Sequence, residues 1–262
     1  MQIVYVNANQ LQEIKQSAPD VAMALGYFDG VHLGHQKVIQ TAKEKAKSQN
    51  LSLAVLSFFP HPKSILLSNK EVLYLEPLEQ KAEKLERLGV DVFYVVEFTK
   101  RLAKVEPDTF LNDYILGLNA KEIICGFDYT YGAKARGSVD TLAVYAATKQ
   151  INLTVVEELT WNEQKISSTL IRNYLTKGKL NELPSLLGTF YKTKYCQKNG
   201  LLPNYSLPNV GSYKVLIEDR HFNIECVATV KCNKFIQIHH ETSTLPNLLT
   251  IQWVEQLETI PI

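Results

Sequence analysis

The sequence has almost no surplus of either charge: 28 Lys and Arg stand against 27 Asp and Glu, a formal net charge of +1. A chain so balanced has no broad field with which to gather a nucleic-acid backbone, so any phosphate it binds must be held locally. Long apolar runs are missing, and none approaches the ~18 residues that a membrane helix needs. The opening residues, MQIVYVNANQLQEIK, lack the basic stretch and apolar core of a leader peptide. The expectation is a soluble, cytoplasmic protein without nucleic-acid or membrane partners. Cysteine is scarce: Cys125, Cys196, Cys226 and Cys232 show no CxxC spacing and are too few to staple 262 residues. Buried free thiols are the simpler account than disulfides or zinc. No GxxxxGK[ST] string occurs, which excludes a Walker phosphate loop, and there is no internal repeat, low-complexity tract or long linker.

What is present is enough apolar residue, 45% of the chain, to build a sizeable core and a second, smaller module. From about residue 20 to 160, apolar runs at Ala22–Gly26, Leu51–Phe58, Val92–Phe98, Glu122–Cys125 and Leu153–Val156 alternate with segments of helical period. Val38, Ile39, Ala42 and Ala46 make one helical stripe, Ala82, Leu85 and Leu88 another, and Phe110, Leu111, Tyr114, Ile115 and Leu118 a third. Near-continuous apolar strands imply burial on both faces. The fold class expected is α/β, a doubly wound parallel sheet with its ligand site beyond the carboxyl ends of the strands. After about Leu187 the pattern changes to alternation at Tyr213–Ile217, Phe222–Val230, Phe235–His239 and Leu249–Val254, a separate and mostly β module. The expected domains are 1–186 and 187–262, abutting through the segment around Leu180–Tyr191.

Four segments carry residues suited to chemistry. The first, from Leu25 to His35, joins an apolar strand to an amphipathic helix. Gly26, Gly30 and Gly34 let the backbone bend tightly and approach a ligand, and the helix start offers unpaired N–H groups to an anion. His32 and His35, three apart, come to one side of a helical turn. Both can donate hydrogen bonds to the oxygens of a phosphorus under attack. Phe28 and Asp29 complete the candidate ligand-binding set of this turn. In the second segment, Ile166 to Arg172, either Ser167 or Ser168 caps a helix striped by Leu170, Ile171, Tyr174 and Leu175. The segment is either an ordinary cap or, with Thr169 and Arg172, a cradle for a polyphosphate. The third, Gly126 to Gly132, follows a strand: Asp128 suits ribose or adenine, and Tyr129 and Tyr131 offer rings to pack on a ligand. It is either such a site or a loop closing over the core, with Lys134, Arg136 and Gly137 supplying a phosphate-facing continuation. The fourth, Phe58-Phe59-Pro60-His61-Pro62, also follows a strand, and is either a rigid turn at the core's edge or the border of a flat apolar ligand.

The strings GYFDGVHLGH, FFPHP, GFDYTYG followed by KARGSVDTL, and ISSTLIR, in this order, resemble the bacterial FAD synthetase family, whose bifunctional members also phosphorylate riboflavin. The first string carries the HxGH signature of the nucleotidylyltransferase superfamily, and FFPHP separates the resemblance from members acting on other phosphorylated acceptors. The match runs over roughly residues 20 to 190. It implies that His32 and His35 contact ATP phosphates near the α-phosphorus and that Asp128 lies in the adenylyl site. It further implies that Ser167, Ser168, Thr169 and Arg172 hold the triphosphate, while Phe59, Pro60, His61 and Pro62 border the flavin. ATP and FMN are then substrates, FAD a product, and Mg²⁺ accompanies ATP, with protein ligands that the sequence leaves unassigned. Family members usually carry phenylalanine where this chain has Tyr129 and Tyr131. In the bifunctional relatives a glycine-rich segment leads into a PTAN motif that serves metal and phosphate. Here residues 198–209 read KNGLLPNYSLPN, and the expectation is a shortened C-terminal module without riboflavin kinase activity. Two rivals remain at this stage: adenylyl or cytidylyl transfer to another phosphorylated acceptor, which HxGH alone supports, and a non-catalytic flavin or nucleotide sensor.

Overall fold

The computed structural model describes residues 1–67, 72–196, 200–201, 204–219, 222–231, 235–239 and 247–257. Cys232, and Lys198, Asn199, Leu202 and Pro203 of the segment that departs from PTAN, lie outside the described residues. The chain forms two units, Met1–Val72 with Leu78–Leu159, and Leu73–Pro77 with Thr160–Ile262. Residues 160–186, placed in the first domain from the sequence, pack with the second unit.

The first unit alternates strands and helices: β1 (Gln2–Val6), α1 (Leu11–Ser17), β2 (Val21–Leu25), α2 (Leu33–Gln49), β3 (Ser52–Phe59), α3 (Pro62–Leu66), α4 (Leu78–Arg87) and β4 (Val92–Glu97). Next come α5 (Pro107–Phe110), continued by a π-helical turn to Leu116, then β5 (Ala120–Gly126), α6 (Val139–Lys149) and β6 (Asn152–Val156). The six strands pair in parallel in the order β1-β4-β3-β2-β5-β6. This is the doubly wound α/β sheet expected. β2 is its pivot: the chain steps to β3 on one side and later to β5 on the other. Loops leaving β2 and β5 therefore diverge, and the crevice between them is where open α/β sheets bind ligands.

The central strands read as continuous apolar runs because helices cover both faces of the sheet. Val21, Ala22, Met23, Ala24 and Leu25 are all at most 2% exposed. On one face β2 packs with Val38, Ile39, Ala42 and Ala46 of α2, and on the other with Phe110, Leu111 and Ile115. α2 ends at Asn50, whose left-handed backbone (φ 53°) returns its N–H to the carbonyl of Ala46. Cys125, at the end of β5, is a free buried thiol whose pKa burial pushes up to about 12, which fits an inert packing role.

Tyr94 of β4 is buried with a hydroxyl that finds no hydrogen-bond partner among the described residues, and burial pushes its pKa from 10.0 up to about 12. Between those values the unfolded chain gives up the phenolic proton while the native state keeps it. The native state then binds more protons, so stability falls as pH rises through that window. Tyr94→Phe is expected to make this fall shallower, measured as urea midpoints from about pH 9 to pH 11.5. An unchanged slope would show that Tyr94 ionises as readily in the native state as in the unfolded chain.

The second unit holds a two-stranded ribbon, β7 (Thr160–Trp161) with β8 (Gln164–Lys165), then α7 (Ser168–Thr176) and α8 (Pro184–Leu187). Its sheet consists of β9 (Tyr191–Cys196), β10 (Gly200–Leu201), β11 (Gly211–Asp219), β12 (Phe222–Lys231), β13 (Phe235–His239) and β14 (Leu248–Gln256). They pair antiparallel in the order β10-β9-β14-β11-β12-β13. Tyr213, Val215, Ile217, Ile251 and Trp253 project from its core face, and all are fully buried. Among the described residues no helix is long and apolar enough to cross a membrane.

Candidate nucleotide site

The segment from Gly26 to His35 leaves the carboxyl end of β2 and climbs into α2. Its backbone is unusual, because Phe28 (φ 56°), Val31 (φ 32°) and Gly30 (φ 79°) all take positive φ. Glycine does so freely, whereas a β-branched valine does so only where its surroundings hold it. The Phe28 and Val31 side chains supply part of that hold, being 1% and 0% exposed within the core. Gly26 is required by the same packing, since a Cβ there would sit 2.9 Å from the Phe28 ring. Asp29 is buried as well.

His32 is the N-cap of α2. The His35 backbone N–H donates to its Nδ1 at 3.3 Å. An imidazole nitrogen that accepts carries no proton, so the ring's proton sits on Nε2, which is left as the donor. The two imidazoles stack with centroids 3.5 Å apart and 18° between planes, and the Phe28 ring meets His35 edge-on at 5.2 Å. The expected pairing of both rings on one side of a helix start is therefore present, at the positive end of a 17-residue helix.

Carbonyl groups of this turn face inward to side-chain donors. Ser57 Oγ (2.7 Å) and Lys81 Nζ (2.8 Å) both donate to the carbonyl of Tyr27. Lys84 Nζ donates to Gly30 O (3.1 Å) and Gln36 Nε2 to Val31 O (2.9 Å). None of these partners was singled out from the sequence. A faint signal existed for Lys81: it lies four residues before Leu85 and next to Ala82, on the buried face of α4.

The Phe59 to Pro62 turn follows β3. Phe59 is 40% exposed, and His61 caps α3 by accepting the Lys63 N–H on Nδ1 (3.0 Å). The His61 ring lies 4.3 Å from the Tyr27 ring, and this contact links the first and fourth segments. The third segment starts beside the first, because Leu25 and Cys125 are paired across β2 and β5, which puts Gly26 and Gly126 in neighbouring exits. Phe127 (41% exposed) and Asp128 are open, and Tyr129 stacks on Tyr131. Tyr131, expected to offer its ring to a ligand, is instead 5% exposed. Its hydroxyl contacts Thr141 Oγ1 at 3.1 Å and its ring joins the core beside Phe110. The exposed aromatic of this loop is Phe127. Arg136 is held by both carboxylate oxygens of Glu106, and Lys134 and Ala135 beside it take positive φ.

The serine segment belongs to the second unit. Ser167 is the N-cap of α7, accepting the Leu170 N–H at 3.1 Å, which settles which serine caps. Thr169 is exposed, and Arg172 is half-buried, donating to Ser168 O (3.3 Å) and Leu73 O (3.1 Å). Among the described residues no group of three or more His, Cys, Asp or Glu side chains is placed to hold a metal ion.

Residues 14–170 match the family described as FAD synthetase. The chain is 49% identical over 174 residues to a bifunctional riboflavin kinase/FMN adenylyltransferase of Listeria monocytogenes, covering 66% of this chain and 55% of the relative. It is 43% identical over 203 residues to the Bacillus subtilis protein of the same description, covering 76% of this chain and 64% of that one. A second Listeria monocytogenes protein, described as FAD synthetase, is 35% identical over 199 residues, which cover 73% of this chain and 79% of that protein. The chain thus spans under two thirds of the two bifunctional relatives and most of the shorter one. A crystal structure described as a macrolide-efflux protein from Streptococcus pneumoniae superposes with a TM-score of 0.88 at 26% identity, covering 100% of this chain and 93% of that one.

Proposed function

This chain belongs to the FAD synthetase family, and from that premise we propose that it transfers AMP from ATP to the phosphate of FMN, giving FAD and pyrophosphate. The observation that carries the reading is the stacked pair His32 and His35 at the mouth of α2, set in a backbone turn whose carbonyls are drawn inward. An oxygen of the FMN phosphate forms a bond to the α-phosphorus, and the bond from that phosphorus to the bridging oxygen breaks. The electron pair leaves with pyrophosphate. The acceptor is already an anion at neutral pH, so no strong general base is needed. Catalysis reduces to positioning and to neutralising charge on the equatorial oxygens. Nε2–H of His32 and the ring of His35 supply donors, and the amides of the turn and the helix start add positive potential.

We assign the flavin to the side of Phe59, Pro60, His61 and Pro62, and the adenosine to Gly126, Phe127 and Asp128. The outer phosphates are assigned to Ser167, Ser168, Thr169 and Arg172, as the resemblance implies. Mg²⁺ arriving with ATP would need no all-protein cage. Bound there, it would neutralise charge on the phosphates. The KNGLLPNYSLPN segment has no threonine and no PTAN motif, which the resemblance makes the metal- and phosphate-serving element of the bifunctional relatives, so riboflavin phosphorylation is not assigned to the second unit.

The test is direct. Purified protein with Mg·ATP is given FMN, riboflavin, pantetheine phosphate or nicotinamide mononucleotide, and products are separated. FAD from FMN, no FMN from riboflavin, and little turnover of the other two acceptors is the expected pattern. Binding of FMN and ATP without pyrophosphate release would replace the enzyme by a sensor.

A further inference from the structure

We propose that Lys81, seconded by Lys84, is a positioning residue for the proposed adenylyl transfer, holding the turn that carries His32 and His35 in its strained conformation. The inference rests on that reaction for its kinetic test. The two positions of unfavourable backbone are Phe28 and Val31 (φ 56° and 32°). Each is entered through a peptide group whose carbonyl is gripped by a lysine of α4: Tyr27 O by Lys81 at 2.8 Å, and Gly30 O by Lys84 at 3.1 Å. Rotation of the Tyr27–Phe28 peptide is what sets φ of Phe28, and rotation of the Gly30–Val31 peptide sets φ of Val31. A grip on each carbonyl therefore acts on the strained angle itself.

Without it, either peptide can turn over and relax its strain. At Gly30–Val31 that would break the hydrogen bond from the Val31 N–H to the Phe28 carbonyl (3.4 Å); at Tyr27–Phe28 it would swing a carbonyl oxygen, with its partial negative charge, into the place of the N–H on the other side of the same trans peptide. For a turn that receives phosphate, such a flip exchanges attraction for repulsion. His32 follows Val31 directly, so its ring would move as well.

Lys81 is also placed as a dedicated part. It is 2% exposed, a costly position for an ammonium unless its hydrogen bonds are made. Besides Tyr27 O, its Nζ lies 3.5 Å from Ser57 Oγ and 4.5 Å above the Tyr27 ring. That ring in turn touches His61. One buried cation thus braces the histidine turn and, through Tyr27, the Phe59 to Pro62 turn.

The experiment compares Lys81→Met and Lys84→Met with Leu85→Val, a packing change on the same helix at a fully buried residue. Steady-state FAD formation and the imidazole NMR signals of His32 and His35 are measured in each. Lys81→Met is expected to lower kcat about 30-fold with KM for FMN within about threefold, and to shift both histidine signals. Leu85→Val should lose thermal midpoint while keeping kcat within about threefold and the signals in place. A Lys81→Met enzyme no slower than Leu85→Val, with unmoved histidine signals, overturns the proposal. If Lys81→Met does not fold, Lys84→Met decides: a fall of about fivefold in kcat with shifted signals supports it, and unchanged values overturn it. If the wild-type protein makes no FAD, the reaction assignment fails, and the positioning role then stands or falls on the histidine signals alone.

Discussion

His32→Ala and His35→Ala are each expected to lower kcat for FAD formation by about a hundred- to a thousandfold, the usual loss when one preorganised donor to a developing oxyanion is removed. KM for FMN should change little, because the donors act where charge gathers in the transition state and not on the bound flavin. The two substitutions separate on stability. His32 also caps α2 through Nδ1, and losing a cap acceptor costs about 0.5–2 kcal/mol, whereas His35→Ala leaves the cap acceptor in place. His32→Asn restores an acceptor of the right kind without an imidazole, so it should recover the melting temperature and not the turnover. Rate and stability measured on these three proteins tell the donor role from the capping role. Near-normal turnover in either alanine variant would remove that imidazole from the mechanism.

Trp253→Ala carries the largest expected loss of stability. The indole lies fully buried in β14, edge-to-face with Tyr213 at 5.6 Å, and its Nε1–H donates to Oγ1 of buried Thr193 at 3.0 Å. Truncation leaves a cavity and an unpartnered hydroxyl, at a cost of about 3–5 kcal/mol, a large share of the 5–15 kcal/mol or so that holds a typical domain together. Trp253→Phe keeps most of the packing and loses only the hydrogen bond, at about 1–3 kcal/mol. Urea denaturation followed by circular dichroism would rank the wild type, the phenylalanine variant and the alanine variant in that order. An alanine variant with a wild-type midpoint would mean that the second unit's core is not organised around this ring.

The strands of the sheet that matter for the site were legible because burial on both faces turns them into plain apolar runs, with β2 the clearest case. β1 escaped for the opposite reason: it is an edge strand with Ile3 and Tyr5 at 42% and 61% exposure, so its sequence reads as surface. α6 buries only Leu142 and Ala146 and leaves Val144 70% exposed, which blurs its stripe. β9 alternates Tyr191, Thr193 and Tyr195 with lysines, a strand pattern just past the segment around Leu180–Tyr191 and absent from the strands read off the sequence, because its lysines and its single threonine dilute the apolar alternation. The histidine pair was readable because strand, glycine turn and helix coincide in one stretch. The lysines that brace it were not: a lysine on a helix is ordinarily solvated, and no local pattern tells that its carbonyl partners lie 54 residues earlier in the chain.

β2 sits in the middle of a parallel sheet, with β3 and β5 on its two sides and helices over both faces. Amides in such a place exchange with solvent only when the whole unit opens. The turn that bears the imidazoles is thus tethered at its entry to the slowest-opening part of the molecule, and at its exit to a long helix. Partial melting at the sheet's margins, at β1 or β6, would leave the turn's anchorage intact. With its lysine grips in place the imidazole turn should come apart only when the first unit itself unfolds, so on heating the histidine NMR signals and the core of that unit should be lost together.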